Sequence, residues 1–463
     1  MMTEQPFQSK SMIPLSARQD WCWSWVRCYP EPYPRSPNLM CWFALRVHGR
    51  LDVGALKQAV LVMNTKHESL RMTSHLADDG TLWQAVEPHA QPLDVVHSTG
   101  GVDPSEFTSR MLGEELIEVP GRMSDATLAR MSGDDHLLIV RFHHLVTDAM
   151  SIHHYRRELA RIYRELVING ASPDVECAFS YRRFVLAENG PGAKSGLDRR
   201  IAAWAGTLRD HGASVPLPRA GDTAAQRNYG HVPIALSASV TEQILAKSRS
   251  FRVPLLATLA GALGRAIGKI YDRNRIIVST HYHGRNRAEL DTALGLFVNV
   301  INIPIDLECA DLGELLTRVR RSLSEATQTV DLPLSKLYEA VIGGSGHNRY
   351  FPYSLSHVWL RLDGVSGWWP TPAPADGRDW PDLEVQRIGP GAPPATGHIV
   401  HPAAVGAGQA LVVGMEMDGV LLRGTVKYET NIYSAQLVRE VVAAFVSELD
   451  AICRWDRAER TGR

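Results

Sequence analysis

The feature that most restricts what this chain can fold into is a change of hydrophobic period near residue 145. His136-Leu-Leu-Ile-Val-Arg-Phe142 reads as a strand. From Met150 to Leu166 the apolar residues fall at 150, 152, 155, 159, 162, 163 and 166, one face of a helix whose other face carries arginine and glutamate. A strand therefore runs into a short loop and a helix follows. Side chains in such a loop stand at the end of a sheet, where sites are often built.

That loop is the densest cluster of reactive side chains in the sequence: His143-His144-Leu-Val-Thr-Asp148. Three readings of it compete. His144 and Asp148 with His153 or His154 could hold a metal, although no third ligand group has a familiar spacing. The two imidazoles could be satisfied by backbone groups in a tight turn. Or one imidazole is a general base held by a nearby carboxylate, since an unperturbed pKa of about 6.5 lets it accept a proton near neutrality.

Other segments carry clear patterns. Residues 41–48, 275–280 and 296–306 read as strands, and 410–417 with 421–428 as a hairpin. Helical periods run over 52–66, with Asp52 as N-cap, and over 312–329 and 434–452. Trp21, Trp23 and Trp25, spaced by two, suggest one face of a strand or an irregular packed segment. Gly261, Gly264 and Gly268 read as helix-packing glycines, since no phosphate-loop signature accompanies them. The polar stretches 169–174 and 188–195 mark a hinge, dividing the chain into lobes at 1–180 and 181–463. Residues 364–405 form a long, turn-rich Pro/Gly excursion without periodicity.

Composition removes several function classes. The length of 463 residues suits two large lobes, and Lys plus Arg at 49 against Asp plus Glu at 50 leaves no global basic field for nucleic acid or anionic lipid. The six cysteines form no CxxC pair, which argues for reduced, mostly buried thiols and against a structural zinc site. The N-terminus lacks the apolar core of a signal peptide, and the longest apolar stretch, 253–270, is interrupted by Pro254, Arg265 and Lys269. A soluble, cytoplasmic, monomeric protein is expected.

His143-His144-Leu-Val-Thr-Asp148-Ala149 resembles the HHxxxDG motif of the condensation-domain superfamily, which includes nonribosomal peptide synthetase condensation domains and chloramphenicol acetyltransferase. Further segments resemble the family's motifs in the family's order. They are Pro14-Leu-Ser-Ala-Arg-Gln19 with Trp23, Gly49-Arg-Leu-Asp52, and Lys66-His-Glu-Ser-Leu-Arg71. Gly284-Arg285 with Gly295-Leu-Phe-Val-Asn299, Asp331-Leu-Pro-Leu-Ser-Lys-Leu337, and Arg423-Gly424 with Tyr428 and Thr430 follow. The resemblance implies an α/β fold of two chloramphenicol-acetyltransferase-like lobes, a V-shaped pseudo-dimer with a central tunnel and with 364–405 as the crossover segment.

The resemblance also implies roles. His144 matches the catalytic histidine and His143 its more structural neighbour. Asp148 would form a salt bridge that shapes the loop, with Arg285 the first choice of partner and Arg71 the second. Asn299, Tyr428, Met150 and Ser151 match positions near the tunnel. Ala149 replaces the motif glycine, and Lys66 replaces an arginine. If position 149 needs a positive φ, alanine there costs about 1 kcal/mol or more.

The function implied is that of a freestanding condensation enzyme in antibiotic and other specialised metabolism. It would transfer an acyl or aminoacyl group from a carrier-protein phosphopantetheine thioester to a small or carrier-bound amine or hydroxyl. A chain without an adenylation or carrier domain is expected. No metal or bound cofactor is implied. Phosphopantetheine arrives on an acyl or peptidyl carrier protein, and neither nucleic acid nor membrane is a partner. Two rivals are a coenzyme A-dependent acyltransferase of the same fold and a catalytically silent module that recruits a partner.

Overall fold

The computed structural model describes residues 12–28, 40–97, 103–113, 121–170, 175–176, 179–212, 229–342, 358–363, 380–388, 411–418 and 420–455. Cys177, most of 364–405 and the side chain of Trp25 lie outside them. The strands are β1 (Met40–His48), β2 (Met72–Leu76), β3 (Leu82–Val86), β4 (Asp94–His97), β5 (Gly121–Arg122), β6 (Ser124–Ser132) and β7 (Asp135–His143). There follow β8 (Tyr229–Ala235), β9 (Arg275–Tyr282), β10 (Asn299–Asp306), β11 (Val358–Asp363), β12 (Glu384–Ile388), β13 (Leu411–Asp418) and β14 (Leu421–Glu429). The helices are α1 (Ala17–Cys28), α2 (Val53–Lys66), α3 (Pro104–Gly113), α4 (Ala149–Asn169), α5 (Tyr181–Asn189) and α6 (Pro191–Lys194). The others are α7 (Leu197–Asp210), α8 (Ala238–Phe251), α9 (Leu255–Tyr271), α10 (Leu312–Thr327), α11 (Leu334–Ile342) and α12 (Ala435–Arg454).

The chain forms two compact units that are interleaved in sequence. The first comprises residues 1–195, 285–297 and 372–404; the second comprises 196–284, 298–371 and 405–463.

In the first unit a five-stranded sheet has the order β12-β1-β7-β6-β4, beside a small sheet β3-β2-β5. β1 and β7 pair antiparallel over their whole length, from Met40 opposite His143 to His48 opposite Asp135. This register fixes the end of β7, and so the start of the reactive loop, against the first residue of β1. Trp42, Ala44, Phe107, Met111, Ala129, Leu137 and Ile139 close one core cluster. Asp125 and Arg141 stand opposite each other across β6 and β7 and are joined by two hydrogen bonds of 2.9 Å. α2 begins where the Asp52 carboxylate accepts from the Ala55 amide, as its sequence indicates.

In the second unit the sheet order is β10-β9-β11-β13-β14-β8, with β11 parallel to both of its neighbours. α9 is buried from Leu256 to Gly268, with Arg265 the one partly open position in that run. A Cβ on Gly264 would stand 3.1 Å from Ile305, and one on Gly268 would collide with Leu307, so these glycines let α9 close on its neighbours.

One expectation is corrected. Trp21 and Trp23 lie in a helix, α1, where both are buried. Ser16 and Gln19 explain its start: Ser16 Oγ accepts from the Gln19 amide, and Gln19 Oε1 accepts from the Ser16 amide, a reciprocal cap. The polar stretch 188–195 holds the end of α5 and the short α6, with Pro191 in the first turn of α6, and the first unit's opening segment ends with it at residue 195. Cys22 and Cys41 are buried free thiols, and desolvation raises both, Cys22 to about 12. Among the described residues no single helix is long and apolar enough to cross a membrane.

Candidate active site at the end of β7

β7 ends at His143, a one-turn 3₁₀ segment covers His144–Val146, and α4 starts at Ala149. The turn is short because Asp148 caps the helix, accepting the Ser151 amide at 2.8 Å on Oδ1. Ala149 is the first helical residue and does not have a positive φ. The substitution of the motif glycine therefore brings no backbone strain, because alanine is at home in the first turn of a helix.

The two histidines differ. His143 is buried, and its Nδ1 accepts the Leu145 amide at 3.1 Å. Burial, with the neighbouring His144 adding to it, holds its imidazole down to about 3, so it is a neutral structural group. His144 is half-buried, and its Nδ1 lies 2.8 Å from the carbonyl oxygen of Thr147. A carbonyl only accepts, so Nδ1 carries the proton and the lone pair of the neutral ring is at Nε2. Among the described residues Nε2 has no hydrogen-bond partner. The turn is clamped from beneath by Gln19, whose Nε2 donates to the Leu145 carbonyl and to Gln84, each at 2.8 Å. Gln19 had no role assigned from sequence; its spacing from Ser16, the capping pattern, was the available signal.

Asp148 is the hub. Its Oδ2 accepts from Arg285 Nη1 at 3.0 Å and from the Phe297 amide at 2.9 Å, while Oδ1 takes Arg285 Nη2 at 3.0 Å. Both side chains of the pair are 2% exposed or less. Burial works to raise the carboxyl, but the Arg285 charge and the donated hydrogen bonds outweigh it and hold Asp148 below the usual carboxylate range. Arg285 also donates to Ser151 Oγ at 2.8 Å and the Ala293 carbonyl at 3.1 Å, and its guanidinium lies 4.6 Å from the centre of the Phe297 ring.

Ser151 completes the clamp. Its hydroxyl accepts from the Gly295 amide at 3.0 Å and donates to the Gly295 carbonyl at 2.7 Å. Gly295 must be glycine here, because a Cβ would run into Tyr181. Arg18 adds a hydrogen bond of 3.0 Å to the Phe297 carbonyl. Residues 285–297 are thus tied into the loop by Asp148, Ser151 and Arg18 together.

Arg71 is not part of this cluster: its guanidinium donates to the Glu87 carbonyl. Met150, the second residue of α4, is half-buried. Asn299 and Tyr428 belong to the second unit. Asn299 is buried and tied to the Val330 carbonyl at 2.6 Å and the Val300 amide at 3.0 Å, while the Tyr428 ring packs where Gly230 has no side chain. Both of Asp148's oxygens are already taken, and among the described residues no three His, Cys, Asp or Glu are grouped to hold a metal. His154 stands near Arg285 and Asp148, and burial with the Arg285 charge lowers it to about 4.

The arrangement offers an imidazole held through Nδ1, with Nε2 free of hydrogen-bond partners among the described residues, on a rigid support. The family model described as "Condensation domain" matches residues 10–345. Enniatin synthetase of Fusarium oxysporum is 25% identical over 309 residues, which is 65% of this chain and 10% of that protein. Across the curated relatives compared, the chain spans between 2% and 10% of their length. Among solved structures, the X-domain in complex with OxyB from teicoplanin biosynthesis aligns with TM-score 0.73 at 20% identity, covering 100% of this chain and 96% of that one. The condensation domain of the monacolin K polyketide synthase MokA aligns with TM-score 0.72 at 16% identity, covering 96% and 97%.

Proposed function

The chain belongs to the condensation-domain family, and from that premise we propose that it transfers an acyl or aminoacyl group from a carrier-bound phosphopantetheine thioester to an amine or hydroxyl acceptor, giving an amide or an ester. The two units are the two acetyltransferase-like lobes of the family. The observation that carries the reading is the hydrogen bond of 2.8 Å from His144 Nδ1 to the Thr147 carbonyl. It fixes the tautomer and leaves Nε2 as the base.

In the reaction, His144 Nε2 accepts the proton of the acceptor's amine or hydroxyl as that atom attacks the thioester carbonyl. The tetrahedral intermediate then expels the phosphopantetheine thiolate, which is protonated as it leaves. The thioester is already activated, so the residues need to supply position and modest base assistance, roughly 10²–10⁴-fold for the base. His143, Asp148, Ser151 and Arg285 do not act on the substrate in this scheme. They hold the turn that presents His144.

The test is single-turnover transfer followed by intact mass spectrometry. Acyl-loaded carrier proteins and the matching acyl-coenzyme A are offered with a panel of amines and alcohols, to wild type and to His144→Ala. Carrier-dependent product, reduced about 10²–10⁴-fold in the variant, is expected. Product from coenzyme A thioesters alone would replace this reading with a coenzyme A-dependent acyltransferase. A second reading draws on the likeness to the X-domain, which was solved with OxyB. Under it the chain is a recruitment module. Tight carrier binding without transfer, unchanged in His144→Ala, is its signature.

A further inference from the structure

Where the described residues of the first unit bury an arginine, they supply an acid. Arg18 meets Glu188, Arg141 meets Asp125 and Arg285 meets Asp148. The half-buried Arg46 likewise holds Asp135. Arg156, on α4, departs from this pattern. It is half-buried, its Nε is closed to water, and among the described residues its guanidinium makes no hydrogen bond and no ion pair. It stands instead over the ring of Phe43 on β1, with Cζ 6.0 Å from the ring centre.

The acids of α4 and of its cap are engaged elsewhere. Glu158, two residues on, takes Lys66 at 2.8 Å and His67 at 2.9 Å. Glu165 takes Arg161, and Asp148 has both oxygens filled by Arg285 and by backbone amides. The nearest residues along the helix add no negative charge: they are His153, His154, Tyr155 and Arg157. His153 is lowered by burial and by the charges of Arg157 and Arg156. The guanidinium stays charged in these surroundings. A partly desolvated cation costs free energy until an anion reaches it, and an aromatic face offsets only part of that cost. A planar guanidinium whose donors are unfilled matches a carboxylate, which it can hold through two parallel N–H···O bonds.

The helix relates this arginine to the reactive turn. Ala149, His153 and Arg156 fall at i, i+4 and i+7, on one face of α4. The helix begins directly after the turn that carries His144, and Arg156 lies about 10 Å along its axis from Ala149.

We propose that Arg156 binds a carboxylate carried by the acyl group or by the acceptor, remote from the reacting atoms, and so selects acid-bearing substrates. The selection rests on the acyl transfer proposed above; the anion site by itself does not.

The site is tested first without turnover. The full chain is labelled with phenylglyoxal in the presence of hexanoate or of hexanamide, and each arginine is followed by peptide mass spectrometry. Hexanoate slows labelling of Arg156 but not of the exposed Arg157, and hexanamide slows neither. If no substrate pair gives transfer, the function proposed above fails and this labelling alone decides the site. Selection is then tested by kcat/KM, for 6-aminohexanoate against hexylamine with one acyl thioester, and for an adipoyl against a hexanoyl thioester with one amine. The arm in which the acid is preferred identifies the substrate that carries it. In Arg156→Gln that preference falls about 10–100-fold, the worth of a hydrogen-bonded charge. Arg156→Lys keeps part of it and Arg157→Gln all of it, and melting temperatures check that the variants are folded. Equal effects of hexanoate and hexanamide at Arg156 overturn the proposal. So does an acid preference that is absent from wild type, or that survives Arg156→Gln, in both arms. A loss in Arg156→Gln shared equally by acid and neutral substrates also overturns it, and would give the arginine to the phosphopantetheine phosphate.

Discussion

At the scale of single residues, the Asp148–Arg285 pair decides most. Both groups are nearly inaccessible, and each carboxylate oxygen takes Arg285 and a backbone amide. Such a pair adds little over an apolar replacement of both partners, but losing one partner strands a buried charge. Arg285→Met is therefore expected to cost about 3–5 kcal/mol in urea unfolding, and Arg285→Met with Asp148→Leu considerably less. A single substitution costing under about 1 kcal/mol would mean that water reaches the site. Ala149 makes the opposite prediction. Because it sits in ordinary helical geometry, Ala149→Gly, which restores the family's motif, is expected to destabilise by about 0.5–1 kcal/mol, read from the same unfolding curves. A gain in stability would show that the backbone there prefers a conformation that alanine resists.

At the scale of elements, the turn between β7 and α4 couples a buried histidine to helix capping. His143 is held neutral, down to about 3, whereas an unfolded chain protonates it near 6.5. The sign follows directly. Below about pH 6.5 the unfolded state binds a proton that the fold refuses, so stability falls with pH at up to about 1.4 kcal/mol per unit until about pH 3. His143→Gln, whose side-chain carbonyl can accept the Leu145 amide in place of Nδ1, is expected to flatten the limb between pH 6.5 and 4 in stability-against-pH measurements. An unaltered limb would assign acid sensitivity to other groups, with His154 the next to test.

At the scale of the whole molecule, the chain leaves and re-enters its first unit. Residues 285–297 belong to the first unit, while the residues on both sides of them in sequence belong to the second. The segment is held by Asp148, Ser151 and Arg18. In Arg285→Met, hydrogen exchange is expected to speed up at 144–152 and 293–297, while the β13–β14 ladder of the second unit keeps its protection. Equal loss in both places would mean that the pair supports the whole chain rather than one unit.

Local periodicity by itself determined β1, β7, α2, α4, α10, α12 and the β13–β14 hairpin, because each has the apolar repeat of its class over enough residues. The motif residues His143, His144 and Asp148 were legible for the same reason that the loop was: a strand period stops and a helix period starts around them. Trp21 and Trp23 misled, since alternate tryptophans look like a strand while the Ser16–Gln19 cap, a subtler signal, starts a helix. The resemblance put Arg285 ahead of Arg71 as the partner of Asp148, and the tertiary structure decides between them. Arg285 lies 137 residues away along the chain, and no local pattern encodes a contact at that range. It alone decided that Ser151 and Gln19 are clamps, because a hydroxyl or amide acquires a role only from the groups folded against it. The harmlessness of Ala149 also needed coordinates: sequence names the residue, and only the path of the backbone gives its φ.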